Sequence, residues 1–120
     1  MRTLPSRGLL GGLRMAVGVQ ALLAPRLSAR TFGIDPASSN AWITRLFGSR
    51  ELLLAASLLG ARNEDELRAV AMLGAAVDAP DVLSSAVERR GGGLSGYTTI
   101  SGGGGAALFV ALGLDAARRA

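Results

Sequence analysis

GGGLSGYTTISGGGGAALFVALGL, residues 91–114, contains no charged side chain. A helix needs about 20 apolar residues to cross the hydrocarbon core of a bilayer, and this run is long enough. Its consecutive glycines, Gly102, Gly103, Gly104 and Gly105, would each cost a helix in water about 1 kcal/mol relative to alanine. In lipid, glycine is better tolerated and lets helix backbones approach closely. The run therefore points to a membrane-spanning helix over residues 94–118, closed by Arg118 and Arg119. Ser101 with Gly105, and Gly102 with Ala106, have the small-xxx-small spacing of docked membrane helices.

Working backwards, residues 65–89 form a further apolar segment with Pro80 well inside it, where a kink is expected. Its first turn is acidic, as the helix dipole favours. The preceding segment, residues 41–61, has Asn40 or Ser39 as N-cap and Trp42 as an interfacial anchor. The first segment covers residues 4–24, with Gly8, Gly12 and Ala16 as a second small-residue ridge, and Pro25 stops or bends it. Residues 26–40 read as the longest connection, rich in turn and cap chemistry, with Phe32 and Ile34 near the membrane interface. Gln20 reads as a single interhelical hydrogen-bonding group. Arg2 and Arg7 precede an apolar run as in a signal peptide, but Arg14 interrupts it, so this segment is expected to remain as a helix.

The fold class that follows is all-α, an integral membrane four-helix bundle forming one domain over residues 1–120. Hydrophobic residues make up 49% of the chain against 18% charged, too apolar a balance for disorder. A soluble four-helix bundle is the rival, because three of the segments carry charges at depth. Two stretches without any charge, residues 15–25 and 52–61, weigh against it, since a soluble bundle needs a polar face on every helix.

Those deep charges are the informative chemistry: Arg14, Arg50, Glu51, Asp78 and Asp81, with Arg45 nearer a helix end and able to snorkel. An ionised side chain facing lipid costs about 3 kcal/mol or more at the bilayer centre, so these groups should face inward and pair. Asp78 and Asp81, three residues apart, share a helix face. The short turn at residues 62–66 makes the second and third segments antiparallel neighbours, which brings Arg50 to an acidic residue of the third, Asp78 being favoured. A salt-bridge network that fixes helix register is one reading. A polar cavity for a proton, an anionic headgroup or a partner helix is the other. Asp78 and Asp81 as a protease dyad fits poorly, because i,i+3 neighbours seldom converge on one water.

All 13 basic residues are Arg, the net charge is +4, and Cys and His are absent. Thiol chemistry and the usual zinc sites are therefore excluded. No lysine follows the glycine run, so it is not a phosphate-binding loop. No catalytic, cofactor-binding or metal-binding set emerges. The arginines are scattered, mostly flanking apolar runs, and make no basic stripe with interleaved aromatics, which argues against nucleic acid.

The segment Arg45-Leu46-Phe47-Gly48-Ser49-Arg50-Glu51-Leu52-Leu53-Leu54 resembles the second helix of small bacterial integral membrane proteins of unknown function, about this long and with four predicted membrane helices. An early glycine-rich helix ending near Pro25 and Phe32-Gly33, and the segment Val77-Asp78-Ala79-Pro80-Asp81, fit the same likeness. The resemblance implies a membrane location and no activity.

The functional expectation is a non-enzymatic accessory or scaffolding subunit of a larger membrane complex, with other membrane subunits as partners and a lipid-transport assembly as one candidate host. The alternatives are a small transporter or lipid-binding protein that uses the Arg/Asp cluster, and a soluble bundle that binds a partner helix. The expected location is the inner membrane, multi-pass. Arg2, Arg7, Arg62, Arg68, Arg118 and Arg119 on one side, against Arg26, Arg30, Arg89 and Arg90 on the other, put both termini in the cytoplasm.

Overall fold

In the computed structural model, which describes residues 4–119 without the side chains of residues 4–6 and 38, every regular element is helical. Arg2 therefore lies outside the described residues. Helix α1 spans Leu4–Leu23. Pro25 opens a short helix, α2 (Pro25–Thr31), at its first position, where the missing N–H would have no helical partner anyway. The connection expected over residues 26–40 is thus partly helical, continuing through Gly33 (φ +73°) and a 3-10 turn at Pro36–Ser38 capped by Asp35. Burial of Pro25, Ser28 and Ala29 holds α2, and a helix this short has too few turns for periodicity to betray it.

Asn40 caps α3 (Ala41–Leu59), its side chain accepting from the backbone N–H groups of Trp42 and Ile43 at 2.9 and 3.3 Å. Asn63 caps α4 (Glu64–Arg90), whose first turn holds Glu64, Asp65 and Glu66. Helix α4 continues through Pro80. The last helix, α5 (Gly96–Arg119), begins with Ser95 as N-cap and passes through a π-helical turn at Thr99–Gly103 before resuming α-geometry. A plain α-helix over residues 94–118 was expected. Glycines without Cβ atoms are where a helix accepts the extra residue of a π turn most readily.

The helices form two antiparallel hairpins, α1 against α3 and α4 against α5. Helices α3 and α4 touch much less, although the short turn between them suggested close neighbours. Missing side chains explain the preference. A Cβ on Gly18 would stand 2.9 Å from the Gly48 carbonyl, and one on Gly48 would stand 2.8 Å from that of Gly18, so the backbones of α1 and α3 cross there. On the other hairpin, Gly113 lies 3.1 Å, by the same measure, from the Ala71 carbonyl. The ridges expected from sequence are different residues. Gly8, Gly12, Gly102, Gly104 and Gly105 have open space where a Cβ would go; of the glycine run, only Gly103 is packed, against Ser85. Spacing alone gave the right kind of ridge on α1 but the wrong face: Gly11, against Leu59, and Gly18 are the buried pair.

The two hairpins meet at the end where α1 begins and α5 ends. Leu10, Leu58, Leu67, Ala71, Phe109 and Ala116 form the core there. Arg7 donates to the carbonyls of Leu59 and Ala61 at 2.6 and 2.9 Å, satisfying acceptors that the end of α3 leaves without helical partners. At the opposite end the Tyr97 hydroxyl donates to the Thr31 carbonyl at 2.8 Å, and Tyr97 lies over Gly33, where no side chain would fit. Gln20 makes no side-chain hydrogen bond among the described residues, contrary to expectation.

Two helices, α4 and α5, are long and apolar enough to cross a membrane. Helices α1 and α3, at 20 and 19 residues, have the length (about 30 Å) but carry Arg7 and Arg14, and Arg45, Arg50 and Glu51.

Candidate functional site

The five deep charges named from sequence lie together where the hairpins begin to part. Arg14 of α1 is their centre. It donates to Glu51 of α3 at 2.7 Å and grips both carboxylate oxygens of Asp78 on α4. Arg14, Glu51 and Asp78 are each 1% exposed. Gly74, one turn before Asp78, makes room for the guanidinium, since a Cβ there would stand 2.9 Å from Nη2. The Phe109 ring of α5 covers the guanidinium at 4.8 Å. All four long helices therefore contribute to one buried group.

Arg50 extends the network outward. It donates to Asp81 at 2.8 Å and to Glu51 at 3.4 Å, and lies 5.0 Å over the Phe47 ring. Its Nε is buried without a hydrogen-bond partner. The Arg50–Asp78 pair favoured from sequence does not form. Residues three apart on a helix point about 60° apart, which sends Asp78 toward α1 and Asp81 toward α3. For the same reason the two aspartates do not converge as a dyad; each is held by a different guanidinium. Arg45, expected nearer a helix end and able to snorkel, sits at the surface, donating to the Leu22 carbonyl at 3.3 Å.

Above the network the hairpins diverge and leave a cleft of about 860 Å³. Arg50 and Asp81 reach it with side chains 36% and 40% exposed. One wall is apolar, with Leu13, Val17, Phe47 and Leu108 among its residues. Along α4, Asp81, Ser84, Ser85 and Glu88 fall at i, i+3, i+4 and i+7, one helical face, and all line the cleft. On α5 the π turn brings Gly102 and Gly103 to the lining. Phe32 and Ile34, expected near the interface, line its upper part. The volume falls within the range of small-molecule sites.

Sequence reading missed Glu88, Phe109 and the apolar wall of the cleft. Glu88 was legible, being two turns from Asp81 on the polar face of α4. Phe109 was not, because nothing local says which face of an apolar helix meets a guanidinium.

No protein-family model, curated protein or solved structure matches the chain.

Proposed function

We propose that this is a small, non-enzymatic integral membrane protein that crosses the membrane four times and binds a membrane amphiphile in the cleft between its hairpins. The observation that carries the reading is an inverted distribution of polarity. Arg14, Glu51 and Asp78 are buried, while Leu53, Leu83 and Ile100 are 70, 68 and 76% exposed. In water that arrangement forfeits apolar burial and strips charges of solvent at once. In a bilayer both choices are favourable, because hydrocarbon solvates leucine and penalises charge. The molecule is 43 Å long, the thickness of a bilayer with its headgroups. The cleft then combines an apolar wall for a chain with a polar stripe for a headgroup. Both termini in the cytoplasm would open it toward the periplasmic side.

Two measurements test this. Carbonate extraction of expressing membranes should leave the protein in the pellet; release into the supernatant would refute the membrane reading. Native mass spectrometry from gentle detergent should show retained lipid on the wild type and its loss in Ser84→Trp, which narrows the cleft at its polar stripe. Equal lipid retention by the two would refute the cleft reading.

The uncovered ridge of Gly8, Gly12 and Ala16 on the outer face of α1 supports a second reading, in which the protein docks as an accessory subunit on another membrane protein. Partner subunits should then co-elute with wild type and be lost on Gly12→Leu. Elution alone under gentle conditions would exclude it.

A further inference from the structure

We infer that the amphiphile taken by the cleft is cationic, carrying an ammonium headgroup. This rests on the reading that the cleft holds an amphiphile, and adds its charge. The network and cleft lining together hold two guanidiniums, Arg14 and Arg50, against four carboxylates, Glu51, Asp78, Asp81 and Glu88. Arg45, at the surface on the Leu22 carbonyl, adds no cation to this set.

The pairing geometry says which sign is left over. Arg14 is spent on Glu51 and Asp78 and is sealed from the cleft. Arg50 already faces two carboxylates, Asp81 and Glu51, with its charge further taken up by the Phe47 ring. Arg89, at the rim, is turned onto the Leu94 carbonyl at 3.0 Å. Arg50 keeps a buried Nε without a partner, but its accessible Nη2 is already on Asp81 and Glu51, so an anion entering the cleft would have to displace a carboxylate to pair with it. The carboxylates are not so committed. Asp81 uses Oδ2 on Arg50 and has no hydrogen bond to Oδ1 among the described residues, and Glu88 makes no ion pair among them. They stand about 10 Å apart along one face of α4, with the Ser84 and Ser85 hydroxyls between them. Beside the apolar wall, where water is partly displaced, that surplus attracts a cation more strongly than it would in bulk water. An ammonium fits the stripe, and its alkyl chain fits the facing wall of Leu13, Val17, Phe47 and Leu108.

The test is calorimetric titration of the protein in nanodiscs of zwitterionic lipid, with empty nanodiscs subtracted. Three probes share one chain: dodecyltrimethylammonium, dodecyl sulfate and dodecyl maltoside. Saturable binding of the ammonium at least about tenfold tighter than the sulfate is expected, the effect of one charge at close range. Glu88→Gln, an exposed position that should not disturb folding, should weaken the ammonium several-fold, and Glu64→Gln, at the far end of α4, should leave it unchanged. Sulfate or maltoside binding as tightly as the ammonium would overturn this inference and leave the cleft reading standing. Unchanged ammonium affinity in Glu88→Gln, or equal weakening in Glu64→Gln, would overturn it too. Saturable binding of none of the three would overturn both.

Discussion

Replacing Arg14 by methionine should be the most damaging single substitution among the five charges. Methionine keeps much of the volume beside Gly74 and under Phe109 and removes only the guanidinium. Asp78 would lose both of its bonds, and Glu51 would retain only the 3.4 Å contact with Arg50. Both carboxylates are 1% exposed, so water cannot take over. Breaking a buried pair by removing one partner costs about 3–5 kcal/mol, most of it the penalty of the charge left behind. The double variant Arg14→Met, Asp78→Leu removes one of the two stranded carboxylates and should regain about 2 kcal/mol of that. By contrast Arg50→Met acts on a pair open to the cleft and should cost about 1 kcal/mol or less. The assay is reversible unfolding in mixed micelles with rising dodecyl sulfate fraction, read by helical circular dichroism. The cycle between Arg14 and Asp78 should show strong coupling, and the cycle between Arg50 and Asp78, which make no direct bond, should show much less. Arg50→Met as costly as Arg14→Met, or a loss under 1 kcal/mol for Arg14→Met, would refute the reasoning.

Two other outcomes follow from the packing. Gly18→Leu and Gly48→Leu should each prevent close docking of α1 on α3 and lower the unfolding midpoint sharply, while Gly104→Leu, with open space around it, should change it little; the same titration reads all three. Asn63→Ala removes the side-chain acceptor for the Glu66 N–H (2.8 Å) and should cost about 1 kcal/mol; a loss below about 0.3 kcal/mol would show that the cap is replaced by water.

The helices were legible because their signals are local. Asn40, the acidic first turn of α4, and Arg118 with Arg119 mark ends that the backbone respects, since capping and dipole effects act within one turn. The five deep charges were legible as a group because burying a charge is costly enough to force pairing. Which charge pairs with which was not. That depends on how each helix is rotated, and rotation is set where α1 and α3 meet at Gly18 and Gly48, far apart in sequence. The glycines show the same limit from the other side: Gly8 and Gly12 have the small-xxx-small spacing, yet Gly11 and Gly18, seven residues apart, are the pair that the partner helix covers. The cleft lies where the two hairpins diverge, which no local pattern encodes.

The membrane reading requires that Leu53 and Leu83 face lipid, while Arg50 and Asp81 face a cleft that water enters and Arg14, Glu51 and Asp78 lie sealed beneath it. Because the chain has no cysteine, single nitroxide labels can be placed at will. The most direct measurement is electron paramagnetic resonance accessibility in liposomes, comparing collisions with apolar oxygen and with a water-soluble nickel chelate. Labels at Leu53 and Leu83, 70 and 68% exposed, should collide with oxygen and be shielded from nickel, while a label at Ser84, on the cleft lining, should be reached by nickel. Nickel access at Leu53 and Leu83 equal to that at Ser84 would mean those leucines face water, and would contradict the claim.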